Sequence, residues 1–393
     1  MTLLLAGVRN AEEAKSALAL GADMLDLADA AGGALEPETV AAIVRAIAGR
    51  RPVSAAVGDV PMDPDALAAA VAAMAATGVQ YATVGLAPGP HDGDCIRRLS
   101  ALARTIKLVG VMFADAQSDA GAPAALVGRL GEAGFAGAML AARSDAGRLL
   151  ECMDVAALAQ FVAACRAHGL AAGFAGSLEP PDIPRLLPLA PDYLGFRDAL
   201  RAGGERTAPL DPAAVRLVRD LIPPAPGTLR GAEAEAVDRR RGAARGHASD
   251  PGKEAAARNR IFVHDFVLPV RIGAYAHERD KPQRVRFNVD VEVLRPAHPT
   301  EDLRDVFSYD VIIDGIRMIV AQEHVTLIEM LAERIAALVL SHARVCAVTV
   351  RVEKLDVGPG AVGVEIRREG PAEMAGVRHL YPVAAARGDK AAD

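Results

Sequence analysis

Six of this chain's 44 basic residues are lysine, so arginine is its ordinary cation. One of the six, Lys354, interrupts an alternating apolar strand pattern just before a Gly-Pro-Gly turn, in TVRVEKLDVGPGAVG (349–363). Lysine can lose its proton when its surroundings lower its pKa, and arginine effectively cannot. The residue type at 354 therefore fits acid/base chemistry, against the plainer reading of a solvated strand residue. Three more polar residues sit near element ends or break an apolar pattern. Glu278 lies in the charged loop AYAHERDKPQ, Tyr309 opens a helical pattern in FSYDV, and Glu329 stands between Ile328 and Met330 in LIEMLAERIA. Taken singly, Glu278 reads as loop solvation and Glu329 as the polar side of an amphipathic helix. A second set lies earlier in the chain. Asp26 lies within the second strand run, Asp59 and Asp115 fall at strand ends, Gly176 and Ser177 follow a seventh strand, and Gly195 and Arg197 close an eighth. Glycines and a cation there suit a phosphate frame. Tight turns and a helix cap at Asp59 are the structural alternative.

The elements that must hold these residues fall into two grammars. Up to about residue 221, short apolar runs begin at 3, 24, 53, 81, 108, 137, 171 and 193. Between most of them lie Ala-rich segments with apolar residues three or four apart, such as DPDALAAAVAAMAATG (63–78). Such segments act as crossovers between parallel strands. Eight evenly spaced units predict an α/β fold, a (β/α)8 barrel, in preference to an open doubly wound sheet. From 222 to 259 large apolar residues almost vanish and Ala, Gly, Arg and Pro take over, the composition of a flexible linker. Residues 260–369 then read strand, strand, helix, helix, strand, strand with period-2 alternation in the strands, an antiparallel α+β unit. Residues 370–393 read as a loose tail.

Composition narrows the function classes. A net charge of −6 and a sequence pI near 5.9 point to neither nucleic acid nor an anionic membrane as partner. Four scattered cysteines without a CxxC pair suit reduced thiols in a cytoplasm. The start of the chain reads as a first strand and not as a signal peptide, and no apolar run is long enough for a membrane helix. The histidines at 264, 277, 298, 324 and 342 form no ligand pair at helical or strand spacing, so no metal is expected.

Residues 260–369 resemble dihydroneopterin aldolase through IGAYAHERDKPQRVRFNVDVEV, DVFSYDVI, LIEMLAERIA and VRVEKLDVGPGAVGVEIRRE. The resemblance implies the tunnelling fold (T-fold) and homo-oligomers, usually tetramers or octamers, with sites between subunits. It implies retro-aldol cleavage of 7,8-dihydroneopterin, or a phosphate of it, to 6-hydroxymethyl-7,8-dihydropterin and glycolaldehyde, with no cofactor and no metal. On that basis Glu329 anchors the pterin, with Leu327 and Ile328 beside it. Lys354 is the general acid/base, Tyr309 assists proton transfer, and Glu278 binds side-chain hydroxyls or holds Lys354.

Residues 1–221 resemble (5-formylfuran-3-yl)methyl phosphate synthase through EEAKSALALGADMLDL, VSAAVGDVP, YATVGL, GLAAGFAGSL and YLGFRDAL. That family works through a Schiff-base lysine after its second strand, with further lysines after strands four and six. This chain has Ala28 and Thr83 at two of those positions, and Asp145 and Arg148 but no lysine in the third region. Lys15 and Lys107 lie away from C-terminal strand ends, so the family's covalent first step lacks its amine. The expectation is a barrel that binds a phosphorylated metabolite with lost or altered lyase chemistry. Its alternatives are furan-phosphate formation by a substitute mechanism and a regulatory barrel without catalysis.

Overall fold

A computed structural model describes residues 1–30, 32–57, 63–86, 92–116, 122–143, 147–222, 258–273, 278, 281–296, 301–322, 324–357 and 360–370. The chain divides into two compact units, Met1–Pro223 and Pro224–Asp393.

The first unit is a closed barrel of eight parallel strands in sequence order: β1 Leu3–Val8, β2 Met24–Leu27, β3 Val53–Ala56, β4 Tyr81–Leu86, β5 Lys107–Phe113, β6 Gly137–Ala141, β7 Ala171–Phe174 and β8 Tyr193–Phe196. It closes where Leu3 pairs with Tyr193 and Leu5 with Gly195. The helices around it begin where the sequence supplies caps. Asn10 accepts backbone N–H bonds at the start of α1 (Ala11–Ala19), and α2 (Pro37–Ile47) opens on a proline. Asp63 caps α3 (Pro64–Ala76). Then come α4 (Asp92–Ser100), α5 (Ala122–Glu132), the single turn α6 (Leu149–Cys152), α7 (Val155–Ala167) capped by Asp154, the single turn α8 (Ile183–Leu186), and α9 (Pro212–Leu221) capped by Asp211. An Asp followed by Pro satisfies orphan N–H groups and presets the first helical φ at α3 and α9 alike. Leu5, Met24, Val109, Val111, Met139 and Tyr193 fill the barrel interior.

A buried ion network ties the first helix to the segment that follows the last strand. The Arg201 side chain is fully buried and donates to both Glu13 carboxylate oxygens, at 3.0 and 3.2 Å. Arg9 adds a 2.6 Å contact to the same carboxylate. Burial opposes the charge on Glu13, but the Arg201 and Arg9 hydrogen bonds hold its carboxyl down to about 2.

The second unit is a four-stranded antiparallel sheet in the order β12–β11–β10–β9, with β9 Arg258–Val270, β10 Gln283–Leu294, β11 Val345–Lys354 and β12 Val362–Glu369. Helices α10 (Asp310–Gln322) and α11 (Ile328–Leu340) cover one face. The period-2 pattern sorts each strand cleanly: Val285, Phe287, Val289 and Val291 of β10 and Val348, Val350 and Val352 of β11 are buried under the helices. The opposite face carries ion pairs such as Arg286–Glu353 at 2.9 Å and Arg367–Glu292 at 2.8 Å. This ββααββ layer has the element order expected of a T-fold. The predicted strand and helix segments all form, with boundaries within a few residues except where β2, β3, β7 and β9 end early.

Candidate active site

Lys354 is the last residue of β11 and stands opposite Val285 of β10. It continues the row Val348, Val350, Val352, so alternation aims it at the helix-covered face, where the apolar core ends. Its Nζ donates to Glu278 Oε1 at 2.8 Å, and the two side chains are only 14% and 10% exposed. The strand end is pinned from outside: Leu355 N donates to Arg284 O at 2.9 Å, and Arg284 holds Asp356 at 2.7 Å.

Two residues that the sequence reading left unremarked complete this corner. Gln283 heads β10 on the same row as Val285, and its Nε2 donates to Ile272 O and to Glu278 Oε1. Gly273 has φ +146°, and a Cβ there would lie 2.1 Å from the Glu278 carboxylate. The signal for Gln283 was present in QRVRFNVDVEV, where it is the one polar residue in the apolar phase. Nothing local marks Gly273, because its constraint is a carboxylate five residues away.

Glu329 lies in the first turn of α11 and is exposed, as is Leu327, with Ile328 half-buried. A carboxylate there is favoured by the helix N-terminus. The chain before α11 is stitched to the end of β9, since Gly273 N donates to Val325 O at 3.0 Å and Ile272 bridges Val325. Leu327, Ile328 and Glu329 thus start at the same end of the unit as Lys354. Tyr309 does not. It precedes α10, whose thirteen residues span about 20 Å. Its neighbour Phe307 packs edge-on against His342, beyond the far end of α11, with ring centroids 4.9 Å apart. Tyr309 is 58% exposed. Within one copy the structure brings Lys354, Glu278 and the Glu329 turn to one end and places Tyr309 at the other.

The barrel's polar residues are divided as well. Asp26 accepts from Ser54 Oγ at 2.6 Å and faces Arg197 Nη2 at 3.9 Å. Burial pushes its carboxyl upward, against the pull of Arg197 and the Ser54 hydroxyl. Arg197 reaches it by leaning over β1. Its stem lies 3.1 Å from where a Cβ on Gly7 would be, and Nη1 lies 2.6 Å from the same point on Gly32. Gly176 and Ser177 instead turn against the end of β6, where a Cβ on Gly176 would strike Ala142 N at 2.1 Å. Gly195 faces Ala175 and Leu5 inside the barrel. Asp115, in a 3-10 turn after β5, accepts the Arg143 backbone N–H at 3.0 Å. Asp59 and Asp145 lie outside the described residues. Ala28 and Thr83 are buried and carry no amine. Lys107 opens β5 at the opposite mouth, with Nζ 3.5 Å from Tyr81 Oη, and Lys15 is exposed on α1. Among the described residues, no helix is long and apolar enough to cross a membrane, and no group of three or more His, Cys, Asp or Glu side chains could hold a metal ion.

Fold and site together define a class: a (β/α)8 barrel followed by a T-fold domain with a half-buried lysine–glutamate pair where its core ends. The family described as 4-HFC-P synthase matches residues 4–219, and the dihydroneopterin aldolase family, FolB, matches residues 261–367. The first match spans more than half of the sequence; the chain belongs to the 4-HFC-P synthase family, and its C-terminal part is a FolB domain. A putative (5-formylfuran-3-yl)methyl phosphate synthase of Methylorubrum extorquens is 44% identical over 216 residues, 54% of this chain and 88% of that protein. The (5-formylfuran-3-yl)methyl phosphate synthase of Methanopyrus kandleri is 32% identical over 215 residues, 52% of this chain and 91% of that protein. A crystal structure of dihydroneopterin aldolase from Burkholderia thailendensis bound to guanine is 38% identical, covering 28% of this chain and 91% of its own, with a TM-score of 0.26. Both parts of the chain therefore fall in enzyme families.

Proposed function

We propose that the second unit is an aldolase cleaving the side chain of 7,8-dihydroneopterin, or of its phosphate, and that Lys354 and Glu278 carry the proton transfer. The observation that carries this reading is their 2.8 Å ion pair, shielded from solvent at the open end of the core. In the cleavage the 2′-hydroxyl gives up its proton and the C1′–C2′ bond breaks. The electrons pass into the ring C=N, glycolaldehyde leaves, and a proton returns to C1′. A lysine that gains and loses a proton suits both transfers. The Glu329 carboxylate suits the paired donors of the pterin's 2-amino and N3–H edge. Tyr309 comes from a neighbouring copy, so the working unit is a homo-oligomer. Glycolaldehyde release from 7,8-dihydroneopterin tests the reading: wild type is expected to cleave, and an inert wild type overturns it.

A second reading concerns the barrel, because Ala28 and Thr83 leave its described strand ends without an amine. We propose that it binds a phosphorylated metabolite without forming a Schiff base, with Arg197 as the cation beside Asp26. Borohydride treatment in the presence of glyceraldehyde 3-phosphate is expected to leave the barrel's mass unchanged. A trapped lysine adduct within residues 1–222 would favour furan-phosphate chemistry instead.

A further inference from the structure

The row of β10 side chains under the helices runs Val291, Val289, Phe287, Val285, Gln283. An apolar residue of similar length at 283 would extend that core. An amide there carries a desolvation cost that only hydrogen bonds offset. The amide's bonds go to two places: Nε2 donates to Ile272 O, at the end of β9, and to Glu278 Oε1 at 3.4 Å. That is the same oxygen that accepts from Lys354 at 2.8 Å. Gln283 Oε1 is buried and has no hydrogen-bond partner among the described residues. Below the carboxylate, Gly273 leaves room that a methyl group would remove.

We infer that Gln283 is a positioning residue for the Lys354–Glu278 pair, a second donor on the same carboxylate oxygen that accepts from Lys354, an inference that rests on the aldolase reading of this corner. The Ile272 carbonyl orients the amide. The amide holds Glu278 Oε1, and Glu278 in turn aims the lysine. Gly273 gives the carboxylate its seat.

Gln283→Met keeps the length and removes both donors. It is expected to lower kcat at least tenfold while KM changes less than threefold and the thermal midpoint does not fall. Gly273→Ala is expected to act in the same direction. Wild-type kcat in Gln283→Met overturns the inference, and so does a loss of kcat that tracks unfolding. A second measurement does not depend on cleavage. The chain has only six lysines, so reductive ¹³C-methylation gives a sparse NMR spectrum in which the Lys354 signal is assigned by its loss in Lys354→Arg. In Gln283→Met that signal is expected to shift. An unmoved signal overturns the clamp even if wild type cleaves. A moved signal in an enzyme that never cleaves leaves the clamp standing and removes the aldolase reading.

Discussion

Lys354→Arg keeps the charge beside Glu278 and removes a side chain able to exchange its proton. The expected outcome is a loss of kcat of about 10²-fold or more, with pterin binding retained. Stopped-flow fluorescence of the pterin beside single-turnover cleavage separates the two. Glu329→Ala is expected to do the reverse, weakening pterin binding by about 1.5–3 kcal/mol, the usual worth of a hydrogen bond to a charged group, as read by equilibrium titration. The lysine was legible in sequence because it is the wrong residue type for its phase: TVRVEK predicts an apolar side chain at 354. Its partner was legible only through family likeness, since Glu278 lies in a loop whose charges look like solvation. Gly273 was not legible at all. What fixes it is a contact made in three dimensions, and a sequence shows only neighbours along the chain.

At the scale of elements, the strand and helix patterns carried most of the fold. Eight apolar runs with amphipathic spacers became eight parallel strands, and period-2 alternation chose the covered face of each C-terminal strand. The division of the barrel's polar set was not readable, because nothing in YLGFR says which way Arg197 will lean. Glycines at 7 and 32, far apart in sequence, make that choice. Two elements also carry pH dependence. His342 is half-buried against Phe307, and its Nδ1 accepts the Arg344 backbone N–H, so it is held neutral; desolvation first, then Arg344, lowers it to about 4. A histidine depressed from the usual 6.5 stabilises the fold above that pH and loses the contribution as pH falls toward 4. Glu13, held at about 2 against an ordinary 4.5, stabilises the barrel above pH 4.5 and loses that support between 4.5 and 2. Glu13→Gln leaves Arg201 charged and buried. It is expected to destabilise the barrel by about 3–5 kcal/mol, measured by urea unfolding at pH 7.

For the whole molecule, the two windows do not coincide. Acid titration followed by limited proteolysis is expected to loosen the C-terminal unit before the barrel, and His342→Phe should delay the first step. The units differ at their surfaces too. Among the described residues, the exposed large apolar side chains all belong to the second unit except Met1. Tyr309, Leu327 and Met330 are among them, so assembly is expected to run through that unit. Co-expression of Lys354→Ala with Tyr309→Phe tests this: neither variant should cleave well alone, and mixed oligomers should recover roughly a quarter of the sites. Recovery no greater than the sum of the single variants would place Tyr309 outside the site. The Glu13–Arg201 bond bears on how the chain is made. Its partners lie 188 residues apart, so during synthesis the first helix must wait, without its buried counter-charge, until nearly all of the barrel has left the ribosome. Everything after residue 222 emerges behind a barrel that can already close. Ribosome-stalled chains ending before residue 201 should therefore be cut readily by protease, and those stalled near residue 260 should resist.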